Sequence, residues 1–99
     1  GNYTVIYNSK RIDFIDNAEI GSVQKHVTKT KYYGNQIYNG SVFSYTLIIT
    51  LKKRSENDNA KQYRVKLNEF QVEMAYKALS SYNTPASASI REKSEIGGI

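Results

Sequence analysis

The chain has 99 residues, which is enough for one domain and too few for two separate cores. It contains no cysteine, and this excludes a disulfide framework, a thiolate nucleophile and a cysteine-based zinc site. Fourteen Lys and Arg residues against nine Asp and Glu residues give a net charge of +5, which favours anionic partners without identifying one.

The first half of the chain shows the alternation of apolar and polar residues that is typical of strands. Residues 3–7 and 11–15 predict two strands joined by a short turn, and hence a β-hairpin. Asp16 and Asn17 then end the pattern, because their side chains compete for backbone hydrogen bonds and tolerate turn geometry. A third strand is predicted over about residues 19–30.

The clearest strand pattern covers residues 42–52, where apolar residues alternate over five positions. A strand this regular is expected at the centre of the sheet, with its odd-numbered side chains in the core. Before it, Asn39-Gly40 is the favoured pair of a type I′ hairpin turn, and a second turn signal lies at residues 34–35. These two signals leave open whether residues 32–41 form a short extra strand or an irregular loop.

Residues 62–67 predict the last strand, and an amphipathic helix over about residues 69–82 follows it. Asn68 is suited to be the N-cap, and Gln71 three residues later completes a capping box. Apolar residues at helical spacing form a stripe that is broad enough to lie across a sheet. Its members are Val72, Ala75, Tyr76, Leu79 and Tyr82, widened by Phe70, Met74 and Ala78.

The composition divides the chain into two parts. Residues 1–83 predict a single β-rich domain that includes the helix. Residues 84–99 predict a flexible tail, because they are mainly small, polar or charged. The predicted fold class is therefore mostly β (α+β): an antiparallel sheet or a partly open barrel of about five to seven strands, capped by one C-terminal α-helix.

This order of elements resembles that of the bacterial pleckstrin-homology-like (PH-like) domains. The resemblance rests on residues 12–27, 45–51 and 63–79, and it covers roughly residues 3–82. It implies a PH-like fold and a non-catalytic role in binding.

Two basic residues lie in the region that lipid-binding members of the wider PH family use. In those members, basic side chains of the first hairpin converge on a phosphoinositide headgroup. Lys10 and Arg11 occupy the corresponding region here, but Asp13 stands at the next alternate position. The resemblance therefore favours a protein or peptide partner over a lipid, and Lys10 and Arg11 remain part of the predicted anion- or partner-binding surface.

No group of residues in the sequence predicts catalysis. His26 is the only histidine, and its sequence neighbours are a lysine and a valine, so it has neither a metal co-ligand nor an acid–base partner nearby. Asp13, Asp16 and Glu19 flank a turn, where solvated carboxylates are expected. A glycine-rich loop that cradles phosphate is missing. We therefore predict no enzymatic activity, no catalytic residue, no cofactor, no metal ion and no small-molecule substrate.

A basic and aromatic segment is the main candidate for the binding surface. Lys25, Lys29 and Lys31 lie close in sequence to three tyrosines, Tyr32, Tyr33 and Tyr38. Lysines beside exposed rings can bind single-stranded nucleic acid, because bases stack on the rings. Lysines also protect an exposed sheet edge from strand addition, and this second interpretation is favoured.

These observations predict a binding module whose partner is a protein or peptide. The peptide would add to an exposed strand edge or lie in a groove beside the helix. The alternative is a nucleic-acid-binding module that uses the basic and aromatic segment, and an anionic lipid surface also fits the charge. The sequence shows no signal or transmembrane segment, which favours the cytoplasm and leaves the compartment open.

Overall fold

The computed structural model describes residues 3–8, 10–53, 55–57, 59–81 and 84–97. Most of these residues are in strands, as the sequence predicts, and the described part contains one α-helix and one short 3-10 turn. In chain order the elements are β1 (Tyr3–Asn8), β2 (Arg11–Asp16), the 3-10 turn (Asn17–Glu19), β3 (Ile20–Gly34), β4 (Ile37–Leu51), β5 (Gln62–Leu67), α1 (Glu69–Ser80) and β6 (Ala86–Gly97).

The strands form two sheets. β1 and β2 make an antiparallel hairpin, and the other four strands form a sheet in the order β5-β4-β3-β6. β4 pairs antiparallel with both β3 and β5, whereas β6 runs parallel to β3. The expected antiparallel pairing is confirmed among β1 to β5, but two sheets and the parallel β6 are found in place of a single antiparallel sheet or a partly open barrel. Two parallel neighbours need a crossover connection between them. Here the connection from β3 to β6 contains β4, β5 and α1.

A strand follows α1, so the helix does not close the chain. The expectation of a C-terminal helix and a flexible tail is wrong for residues 86–97, which form β6 along the edge of β3. The pairing begins where the amide of Val23 donates to the carbonyl of Pro85 at 3.0 Å. All side chains from residue 86 to residue 96 are exposed. Because neither face of β6 is buried, its sequence does not need the alternation of apolar and polar residues by which a half-buried strand is recognised. Tyr82 of the predicted stripe lies outside the described residues.

The predicted start of the helix is confirmed. The side-chain oxygen of Asn68 accepts from the Gln71 amide at 2.7 Å, and the Gln71 side chain accepts from the Asn68 amide at 3.2 Å. These two bonds form the capping box. The predictions that residues 62–67 form a strand and that β4 is central in its sheet are also confirmed.

The core lies between α1 and one end of the four-stranded sheet. Val72 and Leu79 are the buried residues of α1, and the odd-numbered Leu47 and Ile49 of β4 are buried with them. Because Ile15 of β2 is also buried here, the first hairpin belongs to the same core. The buried cluster consists of Ile15, Ile20, Val23, Leu47, Ile49, Val72 and Leu79.

The molecule is elongated because β3 and β4, at 15 residues each, extend beyond the helix. The radius of gyration is 16.7 Å, whereas a compact domain of this length has a radius of gyration of about 13 Å. In the extended part the rings of Tyr33 and Tyr38 pack with their centroids 5.6 Å apart.

The turn between β3 and β4 is formed by Asn35 and Gln36. Both have positive φ, at 53° and 65°, as the central residues of a type I′ turn require. The Asn39-Gly40 signal instead coincides with a register shift that leaves one extra residue on β4. Residues 32–41 are therefore neither an extra strand nor an irregular loop, but the ends of two long strands and their turn.

We expect Gln36→Gly to raise the free energy of unfolding by about 0.5–1 kcal/mol. A non-glycine residue with positive φ costs roughly 1–2 kcal/mol, which exceeds the entropy that glycine loses on folding. Urea unfolding at equilibrium measures the change. Gln24→Gly within β3 is the matched control and should lower the stability, so equal losses in the two variants would contradict the assignment of strain to Gln36.

Candidate functional site

An apolar groove runs between β1 and α1. Leu47 and Ile49 of β4 lie deepest in it, with exposed fractions of only 3% and 1%. The groove has a volume of about 640 Å³, which is within the 300–1,000 Å³ typical of ligand sites. One wall is β1 from residue 3 to residue 7, and the other wall contains Phe70, Met74 and Ala78 of the helix.

The helix supplies its wall because its apolar stripe is wider than its contact with the sheet. Val72 is fully buried, but Phe70 and Met74 are 72% and 58% exposed. Phe70, Met74 and Ala78 recur every four residues, so they lie along one line on the helix surface. The sequence pattern identifies all three as apolar helix residues. Only the packing shows that they line the groove, whereas Val72 and Leu79 of the same stripe are in the core.

The exposed apolar surface continues onto the outer face of the first hairpin. Val5 pairs with Phe14, and Tyr7 pairs with Ile12. The side chains of Tyr7 and Phe14 are 75% and 70% exposed. Neighbouring exposed apolar side chains of this kind are typical of interaction sites.

The groove lining carries no charged side chain. Its polar members are Thr4, Gln71 and the hydroxyls of two tyrosines. A second cleft, of about 360 Å³, has the opposite character because Lys52, Lys53 and Lys61 line it together with Glu19. The first cleft therefore suits an apolar occupant, whereas the second suits a small anion.

Lys25 from the predicted basic segment joins the sheet to the helix. Its ammonium group donates to the carboxylate of Glu73 and lies 5.4 Å from the ring centroid of Tyr76. Both contacts are to α1, and the Lys25 side chain is only 20% exposed. This lysine therefore stabilises the fold instead of contributing to an open basic surface.

Lys29 and Lys31 lie together on the same sheet face, beyond the end of the helix. The ammonium group of Lys29 is 4.0 Å from a carboxylate oxygen of Glu92, and that of Lys31 is 3.6 Å from the other. Lys29 also lies over the ring of Phe43 at 5.7 Å. Tyr32 is exposed, while Tyr33 is half-buried.

Lys10 lies in the turn of the first hairpin, and Arg11 is the first residue of β2 after it. The guanidinium of Arg11 binds the carboxylate of Asp13 at 3.0 Å. Lys10 is exposed in the turn. The structure therefore divides the predicted surface among three locations: the hairpin turn, the contact with α1 and the far part of β3.

The other polar residues considered from sequence have local partners. His26 Nδ1 lies 2.7 Å from the hydroxyl of Ser89, across the β3–β6 pair. Asp16 accepts a hydrogen bond from the Ala18 amide at 3.0 Å and so caps the 3-10 turn, in agreement with its predicted role in a turn. No cluster of His, Asp and Glu residues suited to a metal ion is found among the described residues.

The sheet face opposite α1 carries a second set of basic residues, which we call the basic face. Arg64 and Lys66 of β5 point to it because successive side chains of a strand alternate and Val65 between them lines the groove on the α1 side. The strand register extends this face across the sheet, because Lys66 pairs with Thr46 of β4, Thr46 pairs with His26 of β3, and His26 pairs with Ser89 of β6. The set consists of Arg64, Lys66, Arg91 and Lys93, all exposed, with the half-buried His26 among them.

The basic face has little negative charge of its own. Glu95 lies 3.6 Å from Lys93, and it is the one carboxylate on this face within the described strands. Arg64, Lys66 and Arg91 make no ion pair with any described residue. Sequence analysis missed this surface because residues 91 and 93 belong to the expected tail.

Comparisons of the chain with protein-family models, curated proteins and solved structures give no match. The described residues include no helix with the length and apolar character needed to cross a membrane.

The two sides of α1 should respond differently to substitution. We expect Val72→Ala to lower the free energy of unfolding by about 2 kcal/mol, because it removes buried methyl groups and leaves a cavity. Phe70→Ala should change the free energy by less than about 0.5 kcal/mol, since that ring is largely exposed. Chemical denaturation of both variants tests this, and a large loss for Phe70→Ala would show that its ring is part of the core.

Proposed function

We propose that the protein is a non-catalytic binding module that holds an extended peptide of a partner protein in the groove between β1 and α1. The observation that carries this proposal is the exposed, uncharged apolar lining of the groove, in which Phe70 and Met74 have no role in the core. Exposed aromatic side chains beside an apolar cleft are typical anchors in protein interfaces.

The edge of β1 would supply the backbone contacts. β1 pairs with β2 on one side, and its other edge has no strand partner among the described residues. An extended peptide that adds to such an edge gains backbone hydrogen bonds, and alternate side chains enter neighbouring pockets. Six residues of β1 span roughly 20 Å, which suits a peptide of about the same length.

The resemblance to PH-like domains is compatible with this role. Its support is the order of antiparallel strands followed by one amphipathic helix, from β1 to α1. β6 after the helix is a departure from that pattern. We propose the PH-like fold on element order alone, and the peptide-binding role does not depend on it.

Selection of eight-residue peptides from a random display library tests the role of the groove. We expect the selected peptides to alternate apolar and polar residues, and Met74→Asp to weaken their binding at least tenfold, because the aspartate would place a charge against an apolar ligand. Isothermal titration calorimetry measures the affinities.

The control is Glu56→Asp, a substitution at an exposed loop residue outside the groove lining. It should leave the affinities unchanged. Failure to select any peptide, or selected peptides whose affinity Met74→Asp does not alter, would contradict the proposal.

A second candidate function is nucleic-acid binding, and the basic face favours it. Four exposed cationic side chains lie on one sheet face with a single carboxylate. Serine, threonine and histidine side chains between them can also donate hydrogen bonds to phosphate oxygens. Base stacking has less support, because this face lacks the paired rings of Phe43 and Tyr45, which lie beside Lys29 on the opposite face.

We expect a DNA duplex of about 16 base pairs to bind weakly and with a steep salt dependence. With four phosphate contacts, the logarithm of the binding constant should fall with the logarithm of the salt concentration with a slope of about −3.6. This slope corresponds to roughly a 100-fold loss of affinity between 50 and 200 mM salt. Replacing Arg64, Lys66, Arg91 and Lys93 by Gln should abolish this binding in fluorescence anisotropy.

The control for this experiment replaces by Gln four exposed lysines outside the basic face and outside the ion pairs with Glu92 of β6, namely Lys10, Lys52, Lys53 and Lys77. It removes the same number of positive charges from the net +5 but leaves the basic face intact. The control should bind nearly as well as the original chain. Equal losses in the two variants would show that net charge alone is responsible and would reject the basic face.

A further inference from the structure

β6 is attached to the sheet in an unusual way. It is the outermost strand and pairs with β3 alone in the ladder. All its side chains from residue 86 to residue 96 are exposed, and Ile90 and Ile96 are 70% and 83% exposed. β5, the strand at the other edge of the sheet, contributes Tyr63 and Leu67 to the packing around the core. β6 is therefore held by its backbone hydrogen bonds and by polar contacts at its surface.

The polar contacts of β6 define a simple recognition pattern. The carboxylate of Glu92 lies between the ammonium groups of Lys29 and Lys31, at 4.0 and 3.6 Å. Nearer the start of the strand, the Ser89 hydroxyl contacts His26 at 2.7 Å. A strand with a carboxylate at the position of Glu92 thus complements the edge of β3 in both charge and register.

We propose that the edge of β3 is a second peptide-binding site, and that β6 is an exchangeable occupant of it. The partner that fits is an extended segment of another protein that runs parallel to β3 and carries an acidic side chain opposite Lys29 and Lys31. Backbone pairing gives such a site its affinity, and the ion pairs select the register and the charge. This site is separate from the groove between β1 and α1.

Competition from β6 controls access to the site. Because β6 is covalently linked to β3, it competes for the edge of β3 at an effective concentration in the millimolar range. A free peptide must therefore be present above that concentration or bind the edge more tightly than β6 does. A strand without buried side chains can leave while the core remains folded, because local opening costs less than global unfolding when few apolar contacts are lost. The edge of β3 would then be open to a partner.

Hydrogen exchange in the unmodified chain tests whether β6 can leave. We expect the amides of β6 that pair with β3 to exchange at least 100-fold faster than those of Leu47 and Ile49 in β4. The exchange of the β6 amides should also be nearly independent of denaturant at low concentration. Exchange of the two strands at the same rate, with the denaturant dependence of global unfolding, would overturn the proposal without any variant being needed.

A synthetic peptide of residues 86–97 with a fluorescent label tests the edge itself. Ser89→Pro in the chain weakens its own β6, because proline cannot donate to the ladder. We expect the peptide to bind this variant at least tenfold more tightly than the original chain, and a scrambled peptide of the same composition to bind neither. Retention of the helical circular dichroism signal checks that the variant is folded. The proposal would be overturned if the scrambled peptide bound as tightly as peptide 86–97, or if peptide 86–97 bound neither the original chain nor the Ser89→Pro variant.

Charge exchange tests the recognition pattern. In the Ser89→Pro background, a peptide with Glu92→Lys should bind at least fivefold more weakly, and Lys29→Glu with Lys31→Glu in the chain should restore its binding. Absence of rescue would reject the role of the two lysines. Met74→Asp should have no effect on peptide 86–97, so a failure of this proposal can be told apart from a failure of the groove.

Discussion

The contact between one face of α1 and one end of the β3–β4 hairpin is the constraint on which the rest of the molecule depends. Few side chains in the described part are fully buried, and most of those belong to this contact or border it. Val72 is buried against a floor of β-branched and leucine side chains, and Lys25 joins the same helix to the sheet through Glu73. Because burial is concentrated there, β6 and the far end of the β3–β4 hairpin depend on backbone pairing and exposed contacts.

A small buried core leaves large apolar surfaces open. The helix presents apolar residues on a wider arc than the narrow sheet can cover, and the first hairpin buries Ile15 while its other face remains exposed. The groove arises where these two uncovered surfaces meet above Leu47 and Ile49. The groove is apolar because the helix and the first hairpin carry more apolar side chains than the sheet can cover. The same excess explains why the groove lining has no charged side chain.

Local signals made part of this structure predictable. Asn68 and Gln71 determine the start of α1, and the alternation in residues 62–67 is sufficient to identify β5. β6 was not predictable in this way, because its exposed side chains carry no periodicity and its pairing depends on residues far away in the chain. The groove was expected only as a general position beside the helix, since its second wall comes from the distant β1. Asn39-Gly40 was misleading because a bulge and a hairpin turn favour the same residues.

The late position of β6 in the chain has a consequence for biosynthesis. His26 and Ser89 are 63 residues apart in sequence, so β3 emerges from the ribosome long before the strand that covers it. Throughout that interval its full edge is open to other nascent chains, and pairing between distant segments is intrinsically slow. Before Lys25 binds Glu73 and the other two lysines bind Glu92, Lys25, Lys29 and Lys31 are charges along β3 whose mutual repulsion opposes the pairing of two identical nascent copies. Their positions would oppose aggregation of the nascent chain until β6 has been made.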